Sequence, residues 1–377
     1  MSLRARLTRS GAVIGTGVLM LSLAACGSNS TDKAASGAST ESGSSSPSAS
    51  TEAALTGTLA GAGASSQEAA MEAWKAGYQA LQPGVTLSYD AVGSGAGITQ
   101  FNSGQVKWAG SDAALEGDEI AAAKQRCASD AIDLPVYISP VAVVFNLDGV
   151  KTLNLDAKTI AKIFRGEIKT WNDPAIAKTN PGVSLPSTAI TPVHRSDKSG
   201  TTENFTDYLH SAAADTWTDK ASKEWPVSGG ESGDKTAGLI QAVTAAKGAI
   251  GYADASQVGS LGTAALEAKD GTFVTFSNTT AAKAAETATK VEGRTANDIA
   301  LKVDRVPATN DSYPLILVSY SIVCSTYSDA NDAAMVKSFV EYQVSEAGQQ
   351  AAADNAGSAP MSDSLRKQVQ ASLDTVK

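Results

Sequence analysis

One seven-residue segment, 195–201, constrains this chain more than any other. It reads Arg-Ser-Asp-Lys-Ser-Gly-Thr and lies between a short apolar run at 190–193 and a helical pattern at 202–209. A strand, a loop and a helix start are therefore predicted in succession. Such a loop collects a guanidinium, two hydroxyl groups and the free N–H groups of a helix start, all of which donate to anions. The segment predicts a buried site for a tetrahedral oxyanion, with Asp197 close enough to brace Arg195.

The rest of the chain alternates between short helix and strand patterns. Helices are predicted at 65–81, 98–101, 116–126, 156–164, 236–246 and 330–347, and strands at 85–91, 106–109, 141–145, 250–252 and 313–323. This alternation predicts an α/β fold with a mainly parallel sheet. Ser65 and Glu68 fit a capping box at the start of the first helix.

Four loops place glycine or hydroxyl residues after a strand or at a helix start. They are Gly-Ala-Gly-Ala-Ser-Ser at 61–66, Gly-Ser-Gly-Ala-Gly at 93–97, Gly-Ser-Asp at 110–112 and the segment 195–201. Ligands in open α/β sheets lie beyond the carboxyl ends of the strands, and glycine lets a ligand approach the backbone closely. Each loop alone has an ordinary explanation as a turn or a helix cap. The four together predict one shared ligand site.

These loops resemble those of the extracytoplasmic phosphate-binding proteins of the phosphate-specific ABC importer, a periplasmic-binding-protein-like family. The match covers roughly residues 57–375 and also includes Gly-Ala-Ile-Gly-Tyr at 248–252 and Tyr-Pro-Leu at 313–315. The resemblance implies a two-lobed α/β fold with a hinge and a ligand cleft between the lobes. We expect lobe 1 to comprise residues 57–142 and 320–377, and lobe 2 to comprise residues 143–319.

Carried over position by position, the resemblance implies a set of phosphate-binding residues. They are Ser65, Ser66 through its backbone N–H, Ser94, Asp112, Arg195, Ser199, Gly200 and Thr201, with Asp197 behind Arg195. This sequence departs from the family in two places. The first loop of the family often continues with Thr-Phe-Pro, whereas residues 65–67 read Ser-Ser-Gln, so the aromatic side chain that would shield the anion is missing. His194 stands where a second arginine often lies, and we interpret it as exposed or as a neighbour of the ligand residues.

Asp112 gives the predicted site a preference among oxyanions. Arginine, hydroxyl and amide donors suit phosphate and sulfate alike, but a carboxylate can only accept a hydrogen bond. Near neutral pH phosphate still carries a proton to donate, whereas sulfate has none and would face an unpaired carboxylate. Sulfate, molybdate and small organic phosphates are the alternative ligands within the class of binding proteins.

A secreted serine hydrolase or phosphatase is the alternative outside that class. Ser364 and Lys367 formally fit a Ser-x-x-Lys motif, but the sequence has neither its partner motifs nor a Gly-x-Ser-x-Gly elbow. The chain contains two histidines, His194 and His210, so a histidine-built metal site is not expected. We therefore predict no catalytic residue, no metal and no cofactor. A third interpretation, a surface adhesion protein, would leave the oxyanion loops unexplained.

The N-terminal residues predict export and membrane anchoring. Three arginines at 4, 6 and 9 precede a short run of apolar and small residues at 11–23, and Leu-Ala-Ala-Cys follows at 23–26. This layout is typical of a signal peptide over residues 1–25 with lipid attachment at Cys26, the alternative being an ordinary signal with an incidental cysteine. Residues 26–56 are rich in Ser, Thr, Ala and Gly and predict a flexible tether. The folded part is thus expected outside the cytoplasmic membrane.

The charge and the cysteine content of the chain limit its possible partners and its cellular location. The net charge is −9 and no cluster of Lys and Arg stands out, which argues against a nucleic-acid partner. An acidic protein can still bind an anion, because the local field of a pocket outweighs distant charges at physiological salt. Besides Cys26 there are two cysteines, Cys127 and Cys324, and two thiols in an exported protein predict a disulfide. The expected partners are inorganic phosphate and the membrane permease of an ABC importer, and we expect a monomer.

Overall fold

A computed structural model describes residues 54–377 of the chain. The predicted signal peptide (1–25), the predicted lipidation site Cys26 and the predicted tether up to residue 53 lie outside the described residues. Across residues 54–377, none of the helices has the length and apolar character that crossing a membrane requires.

Strands and helices alternate along the described part of the chain. The strands are β1 (Gly57–Gly63), β2 (Val85–Asp90), β3 (Trp108–Ser111), β4 (Ala131–Phe145), β5 (Thr152–Leu155), β6 (Thr191–Arg195), β7 (Glu231–Gly233), β8 (Ala249–Asp254), β9 (Gly262–Glu267), β10 (Phe273–Val274), β11 (Thr289–Lys290), β12 (Leu301–Lys302) and β13 (Ile316–Cys324). The α-helices are α1 (Glu68–Leu81), α2 (Ser94–Asn102), α3 (Asp118–Cys127), α4 (Ala157–Phe164), α5 (Pro174–Thr179), α6 (Gly200–Ala212), α7 (Lys235–Ala245), α8 (Asn278–Glu286), α9 (Ala330–Val344), α10 (Glu346–Ala356) and α11 (Asp363–Leu373). Short 3₁₀ helices occupy Ser65–Gln67, Ala255–Gln257 and Lys269–Gly271.

An eleven-stranded mixed sheet forms the centre of the fold. Its main strand order is β2-β1-β3-β13-β4-β8-β6-β7, with β9 joining β4, β5 and β10. Strands β2, β1 and β3 run parallel to one another, and so do β8, β6 and β7. The central strands β13 and β4 are antiparallel to each other and to their other neighbours in this order. The predicted mainly parallel sheet is therefore wrong at its centre, because the chain leaves one parallel group along β4 and returns along β13.

The fifteen-residue strand β4 connects the two parallel groups. All of its residues except Ala131 are buried, as expected for a central strand covered on both faces. Residues 131–140 pair with β13, and residues 141–145 pair with β8. Sequence analysis assigned only 141–145 to this strand. The longer strand tolerates Pro135 because the β4–β13 pairing shifts register there, and such a bulge needs no regular ladder hydrogen bond from proline.

Helix α2 begins four residues before the predicted 98–101, helices α5, α8 and α11 were not predicted, and two further predictions are wrong in detail. Ser65 and Glu68 do not form the predicted capping box, since Ser65 opens a 3₁₀ turn and α1 begins at Glu68 without a side-chain cap. The hydroxyl of Ser65 instead bonds to Thr236, far along the chain. The predicted helix 330–347 is interrupted at Ser345, whose hydroxyl accepts a hydrogen bond from the N–H of Gly348 and thereby caps α10.

The two groups of parallel strands face each other with the carboxyl ends of their strands. The loops after β1, β2 and β3 leave the carboxyl edge of the first group, and the loops after β6, β7 and β8 leave that of the second. Hydrogen bonds cross between these loops: the N–H of Gly95 donates to the carbonyl of Lys198 over 3.0 Å. The loops predicted to share a ligand site therefore meet.

Cys127 and Cys324 form a disulfide, as predicted. It joins the end of α3 to the end of β13 across a sequence separation of 197 residues. Closing so long a loop restricts the unfolded chain, so replacing both cysteines by serine should lower the free energy of unfolding by about 2–4 kcal/mol. Denaturant unfolding of the wild type and the double variant measures this difference. An unchanged unfolding midpoint in the double variant would contradict the expectation.

Candidate functional site

The first loop of the candidate site follows β1 and places Ser65 and Ser66 at a helix start. Both serines are buried. The hydroxyl of Ser65 lies 2.9 Å from that of Thr236 and accepts a 3.1 Å hydrogen bond from the N–H of Thr236. The hydroxyl of Ser66 donates to Oδ1 of Asp112 over 2.5 Å. The loop is thus held by side chains on two sides.

Asp112 follows β3 and accepts hydrogen bonds from three other segments. Its Oδ1 accepts from the hydroxyls of Ser66 and Ser319, at 2.5 and 2.7 Å, and its Oδ2 accepts from the hydroxyl of Thr201 at 2.9 Å. The N–H of Asp112 donates to the hydroxyl of Ser94 over 3.2 Å. These bonds connect the loops after β1, β2 and β3 to the start of α6.

Arg195 is the last residue of β6 and is 3% exposed. Its Nε and Nη2 donate to the two carboxylate oxygens of Asp197, at 2.7 and 2.6 Å, so the predicted brace is present. This uses two N–H groups of a guanidinium that carries five in a planar fork. The backbone N–H of Arg195 donates to the hydroxyl of Tyr252 over 3.2 Å. Arg195 is therefore fixed at its backbone and along one edge of its side chain, and the other edge can bind an anion.

Two glycines allow the loops of the two groups to approach one another. Gly93 has φ +91°, and a Cβ at this position would lie 2.4 Å from Oδ2 of Asp197. A Cβ at Gly200 would lie 2.8 Å from the Cβ of Asp112 and 2.8 Å from the hydroxyl of Ser94. Any side chain at either position would push apart loops that come from different ends of the sheet. The glycines of these motifs are thus required for close contact between the loops.

The N-terminal ends of α2, α6 and α7 lie together at the candidate site. Helix α2 begins at Ser94, and α6 begins at Gly200 with Ser199 as its cap, whose hydroxyl accepts from the N–H of Thr202 at 3.2 Å. Helix α7 begins at Lys235, whose N–H donates to Oδ1 of Asp197 over 3.0 Å. Helix starts carry free N–H groups and the positive end of the helix dipole, so the electrostatics favour an anion.

The structure brings the sequence-predicted residues into one connected group. All of them are buried, and they are Ser65, Ser66, Ser94, Asp112, Arg195, Ser199, Gly200 and Thr201. The chain contains no comparable arrangement for a metal within residues 54–377, where no group of three or more His, Cys, Asp or Glu side chains is placed to hold an ion. Chemically, the group offers many hydrogen-bond donors, one guanidinium and one carboxylate acceptor.

Known proteins are similar in sequence to this chain over most of its length. Residues 48–347 match the model of the PBP superfamily domain. The phosphate-binding protein PstS 3 of Mycobacterium leprae (strain TN) is 39% identical over 300 residues, which cover 78% of this chain and 80% of that protein. The chain belongs to the PBP superfamily and to its PstS family. The phosphate-binding protein PstS 2 of Mycobacterium tuberculosis (strain H37Rv) is 37% identical over 303 residues, with the same coverage of 78% and 80%.

Solved structures of the PBP superfamily have the same fold. A periplasmic phosphate-binding protein (PfluDING) matches with a TM-score of 0.69 at 21% identity, over 84% of this chain and 93% of that one. The phosphate-binding protein from Stenotrophomonas maltophilia matches with a TM-score of 0.67 at 18% identity and the same coverage. The predicted α/β fold of the two-lobed, periplasmic-binding-protein-like type is thereby confirmed.

Sequence analysis did not name several residues that form hydrogen bonds within the candidate site of this PstS-family protein. Asn204 donates through Nδ2 to the carbonyls of Asp112 and Gly200, at 2.7 and 2.9 Å, and Gln257 donates to the carbonyl of Ser65 at 2.9 Å. Two hydroxyl residues, Thr236 and Ser319, were also missed. Ser319 carried a readable signal, since it is a polar residue in the middle of the apolar strand β13.

His194 is not exposed, and that part of its interpretation is wrong. Its ring stacks on Trp225, with centroids 5.1 Å apart and planes inclined by 6°. Its Nδ1 lies 2.9 Å from the carbonyl oxygen of Arg195. His194 therefore contacts the backbone of Arg195, which agrees with the other half of the interpretation, that it neighbours the predicted ligand residues.

Burial and hydrogen bonding act in opposite directions on the carboxyl groups of the site. Burial raises the pKa of Asp112, while hydrogen bonds from Ser66, Ser319 and Thr201, together with the charge of Arg195, lower it. For Asp197 burial acts to raise the pKa, but the hydrogen bonds and charge of Arg195 prevail and lower it. Asp197 is therefore a firmly ionised partner for the guanidinium.

Asp254, the last residue of β8, is a second buried carboxyl group. Its Oδ1 accepts from the N–H and the hydroxyl of Ser256, at 2.9 and 2.5 Å, and from the hydroxyl of Tyr137 at 3.2 Å. Burial raises the pKa of Asp254 to about 7, and the negative charge of Asp112 acts in the same direction. This carboxyl group consequently exchanges its proton near neutral pH.

We expect Asp254→Asn to change how stability depends on pH. In the unfolded chain an aspartate has a pKa of about 3.9, so between about pH 4 and the folded pKa of about 7 ionisation favours the unfolded state. Wild-type stability should fall over this window by up to about 4 kcal/mol relative to the variant. Urea unfolding of both proteins from about pH 4 to about pH 8 measures the difference. A difference that stays constant across this range would contradict the assignment.

Proposed function

We propose that this protein binds inorganic phosphate outside the cytoplasmic membrane and delivers it to the permease of an ABC-type phosphate importer. The observation that carries this proposal is the buried meeting point of Arg195, several helix starts and the acceptor Asp112. Donors alone would suit any oxyanion, but a single buried acceptor among them suits an oxyanion that keeps a proton. The names of the PstS relatives support the same ligand.

Each proposed ligand residue has a distinct role. Arg195 supplies charge and paired N–H donors, and the helix starts supply backbone N–H groups at Ser66, Gly200 and Thr201. Asp112 accepts a hydrogen bond from the protonated oxygen of phosphate. The hydroxyl groups that donate to the remaining phosphate oxygens are those of Ser65, Ser94 and Ser199, while the hydroxyl of Thr201 donates to Asp112 and Thr201 binds the anion through its backbone N–H.

The other ligands considered fit this site less well. Sulfate and molybdate without a proton would leave Asp112 facing an oxygen lone pair in a buried place, where an unpaired charge is costly. An organic phosphate needs space for its ester group, whereas the proposed ligand residues Asp112 and Arg195 are each 3% exposed. A hydrolase would need a positioned base or a metal beside its nucleophile, and a site that lacks both binds phosphate without reacting.

We propose that residues 57–142 with 320–377 and residues 143–319 form two lobes that close on the anion by a hinge motion. Contacts of Lys223 between the two proposed lobes support this arrangement. The buried ammonium group of Lys223 lies 3.0 Å from the carboxylate of Glu119 and 3.3 Å from that of Glu203. The carbonyl of Lys223 also accepts a 2.9 Å hydrogen bond from the N–H of Ser199. Lys223 thus joins the ligand loop to an ion pair between the proposed lobes.

The location follows from the N-terminal sequence. We propose that residues 1–25 are removed as a signal peptide and that a lipid on Cys26 anchors the mature protein, so the ligand-binding part stays close to the permease. We further propose that the protein acts as a monomer.

The direct test is to identify the ligand that the full-length protein retains on purification. Mass spectrometry and a phosphate assay should find one inorganic phosphate per chain. After its removal, titration calorimetry should show tight binding of phosphate, weak binding of sulfate and molybdate, and weak binding of a phosphomonoester. A protein that retains no phosphate and releases no heat with it would refute the proposal, and turnover of a phosphomonoester would favour the hydrolase.

A further inference from the structure

The acceptor positions of the Asp112 carboxylate are nearly all occupied within the protein. A carboxylate offers about four lone-pair positions, two on each oxygen. Oδ1 accepts from Ser66 and Ser319, at 2.5 and 2.7 Å, and Oδ2 accepts from Thr201 at 2.9 Å. One position therefore remains, and it belongs to Oδ2.

Ser319 reaches Asp112 from the middle of β13, where it is fully buried. Its hydroxyl oxygen accepts a 2.6 Å hydrogen bond from Nε2 of Gln67, which is also fully buried. The Ser319 proton has two acceptors within reach, Oδ1 of Asp112 at 2.7 Å and the carbonyl of Ser111 at 3.1 Å. The bond to the carboxylate is shorter and charge-assisted, so it is the stronger of the two.

We propose that Ser319, held in place by Gln67, is a specificity-determining positioning residue that completes the occupation of Oδ1 and leaves Oδ2 as the single acceptor for a proton of the bound anion. The proposal rests on phosphate binding as proposed above and deepens it. The ligand class it defines is an oxyanion that donates one hydrogen bond to Asp112 and accepts all the others. Ser319 acts through Asp112 and does not itself contact the anion.

Groups on several elements determine when Asp112 loses its proton. Burial raises the pKa of Asp112, whereas the three hydroxyl groups, including that of Ser319, and the charge of Arg195 lower it. Burial raises the pKa of Asp254, at the end of β8, and of Tyr89, on β2, and the nearby charge of Asp112 raises both further. A negative Asp254 in turn opposes ionisation of Asp112. The Ser319 hydroxyl is thus one of few groups that keep this carboxyl group ionised.

Loss of the Ser319 hydroxyl should therefore let Asp112 hold its proton at a higher pH. A protonated Asp112 no longer accepts the proton of phosphate, so phosphate affinity should begin to fall at a higher pH on acidification. The same protonated group can donate to sulfate, which only accepts, so sulfate binding should begin at that higher pH. A purely structural loss would instead weaken both anions at every pH.

Titration calorimetry of Ser319→Ala with phosphate and with sulfate, from about pH 4 to about pH 8, tests the proposal. We expect the acid limb of phosphate affinity and the onset of sulfate binding to move together, by about half to one pH unit towards higher pH. On that limb phosphate affinity should be about 3–10-fold below that of the wild type at the same pH. Ser319→Thr, which keeps the hydroxyl, should restore both profiles. Gln67→Met should move both in the same direction by a smaller amount.

Ser321→Ala is the matched control. Ser321 lies on the same strand, is equally buried, and donates to Oε1 of Gln343 over 2.8 Å instead of to Asp112. It should leave both profiles unchanged. Unchanged profiles in Ser319→Ala would overturn the inference while the proposed function stands, whereas a wild-type protein that binds no phosphate would overturn the proposed function first. If Ser319→Ala does not fold, the profile of Gln67→Met decides, and no displacement in it would overturn the inference.

Discussion

Replacement of Arg195 by methionine should lower phosphate affinity by about 10²- to 10⁴-fold. Two charge-assisted hydrogen bonds to the anion would be lost, and each is worth about 1.5–3 kcal/mol. A second effect adds to the first. Asp197 now pairs with Arg195 through two bonds of 2.7 and 2.6 Å, and without the guanidinium its negative charge would remain beside the anion. Calorimetry with phosphate measures the loss.

A double variant separates the two effects. Arg195→Met with Asp197→Asn removes the unpaired charge together with the guanidinium, so it should bind phosphate more tightly than Arg195→Met alone. Arg366→Met is the control, because Arg366 is also an ion-paired arginine but lies on α11 and pairs with Asp363 and Glu346. A phosphate affinity of Arg195→Met within tenfold of the wild type would contradict the role proposed for this residue.

The part of the candidate site that was predictable from the sequence is its local part. Arg195 and Asp197 are two residues apart at the end of a strand, and Ser199 caps the helix that begins at Gly200, so the ion pair and the helix cap both lie within one short segment. Loops after parallel strands meet at the same sheet edge, which is why the motifs at 61–66, 93–97 and 110–112 could be grouped in advance. Contacts between residues close in sequence, together with the rule that parallel strands end at the same sheet edge, were sufficient to predict this part of the site.

The part that was not predictable depends on long-range packing. Ser65 bonds to Thr236 at a separation of 171 residues, and Ser319 bonds to Asp112 at a separation of 207. The local pattern at Ser65 favoured a capping box, but a partner on α7 took its hydroxyl instead. A sequence read one segment at a time does not show which distant residue is the partner, even where a polar residue such as Ser319 stands out in an apolar strand.

The sheet shows the same limit. Alternating strands and helices favour parallel pairing, and both outer groups are parallel. The antiparallel centre follows from the chain crossing along β4 and returning along β13, and that return is a property of the whole topology. Strand β13 also carries Ser319. The return of the chain along β13 therefore accounts for two features that were not predicted, the antiparallel centre of the sheet and the second hydroxyl group that bonds to Asp112.

Asp112→Asn should turn a site that selects phosphate into one that also binds sulfate. The amide keeps the size of the carboxyl group, and its oxygen can still accept from Ser66 and Ser319 in the position of Oδ1. The amide nitrogen then takes the position of Oδ2 and donates, while the hydroxyl of Thr201 can rotate to accept. Sulfate would meet a donor where the wild type presents an unpaired carboxylate. We expect sulfate affinity to rise by at least about 10²-fold.

Phosphate should lose much less, about tenfold or below, because it can offer an oxygen acceptor to the new amide in place of its proton. The ratio of the two affinities near neutral pH is the quantity to measure. Asp133→Asn is the matched control, since Asp133 is also a buried carboxyl group with a raised pKa, but it bonds to the N–H of Leu115 and lies beside Arg294 and Asp298. A selectivity that stays at the wild-type ratio in Asp112→Asn would remove the reason to prefer phosphate over sulfate. Asp112→Asn should abolish the preference for phosphate over sulfate at every pH, because it removes the carboxylate acceptor. Loss of the Ser319 hydroxyl should only shift the pH at which this preference is lost, because it changes the pKa of Asp112. The two variants therefore separate the role of the carboxylate from that of the hydroxyl group that lowers its pKa.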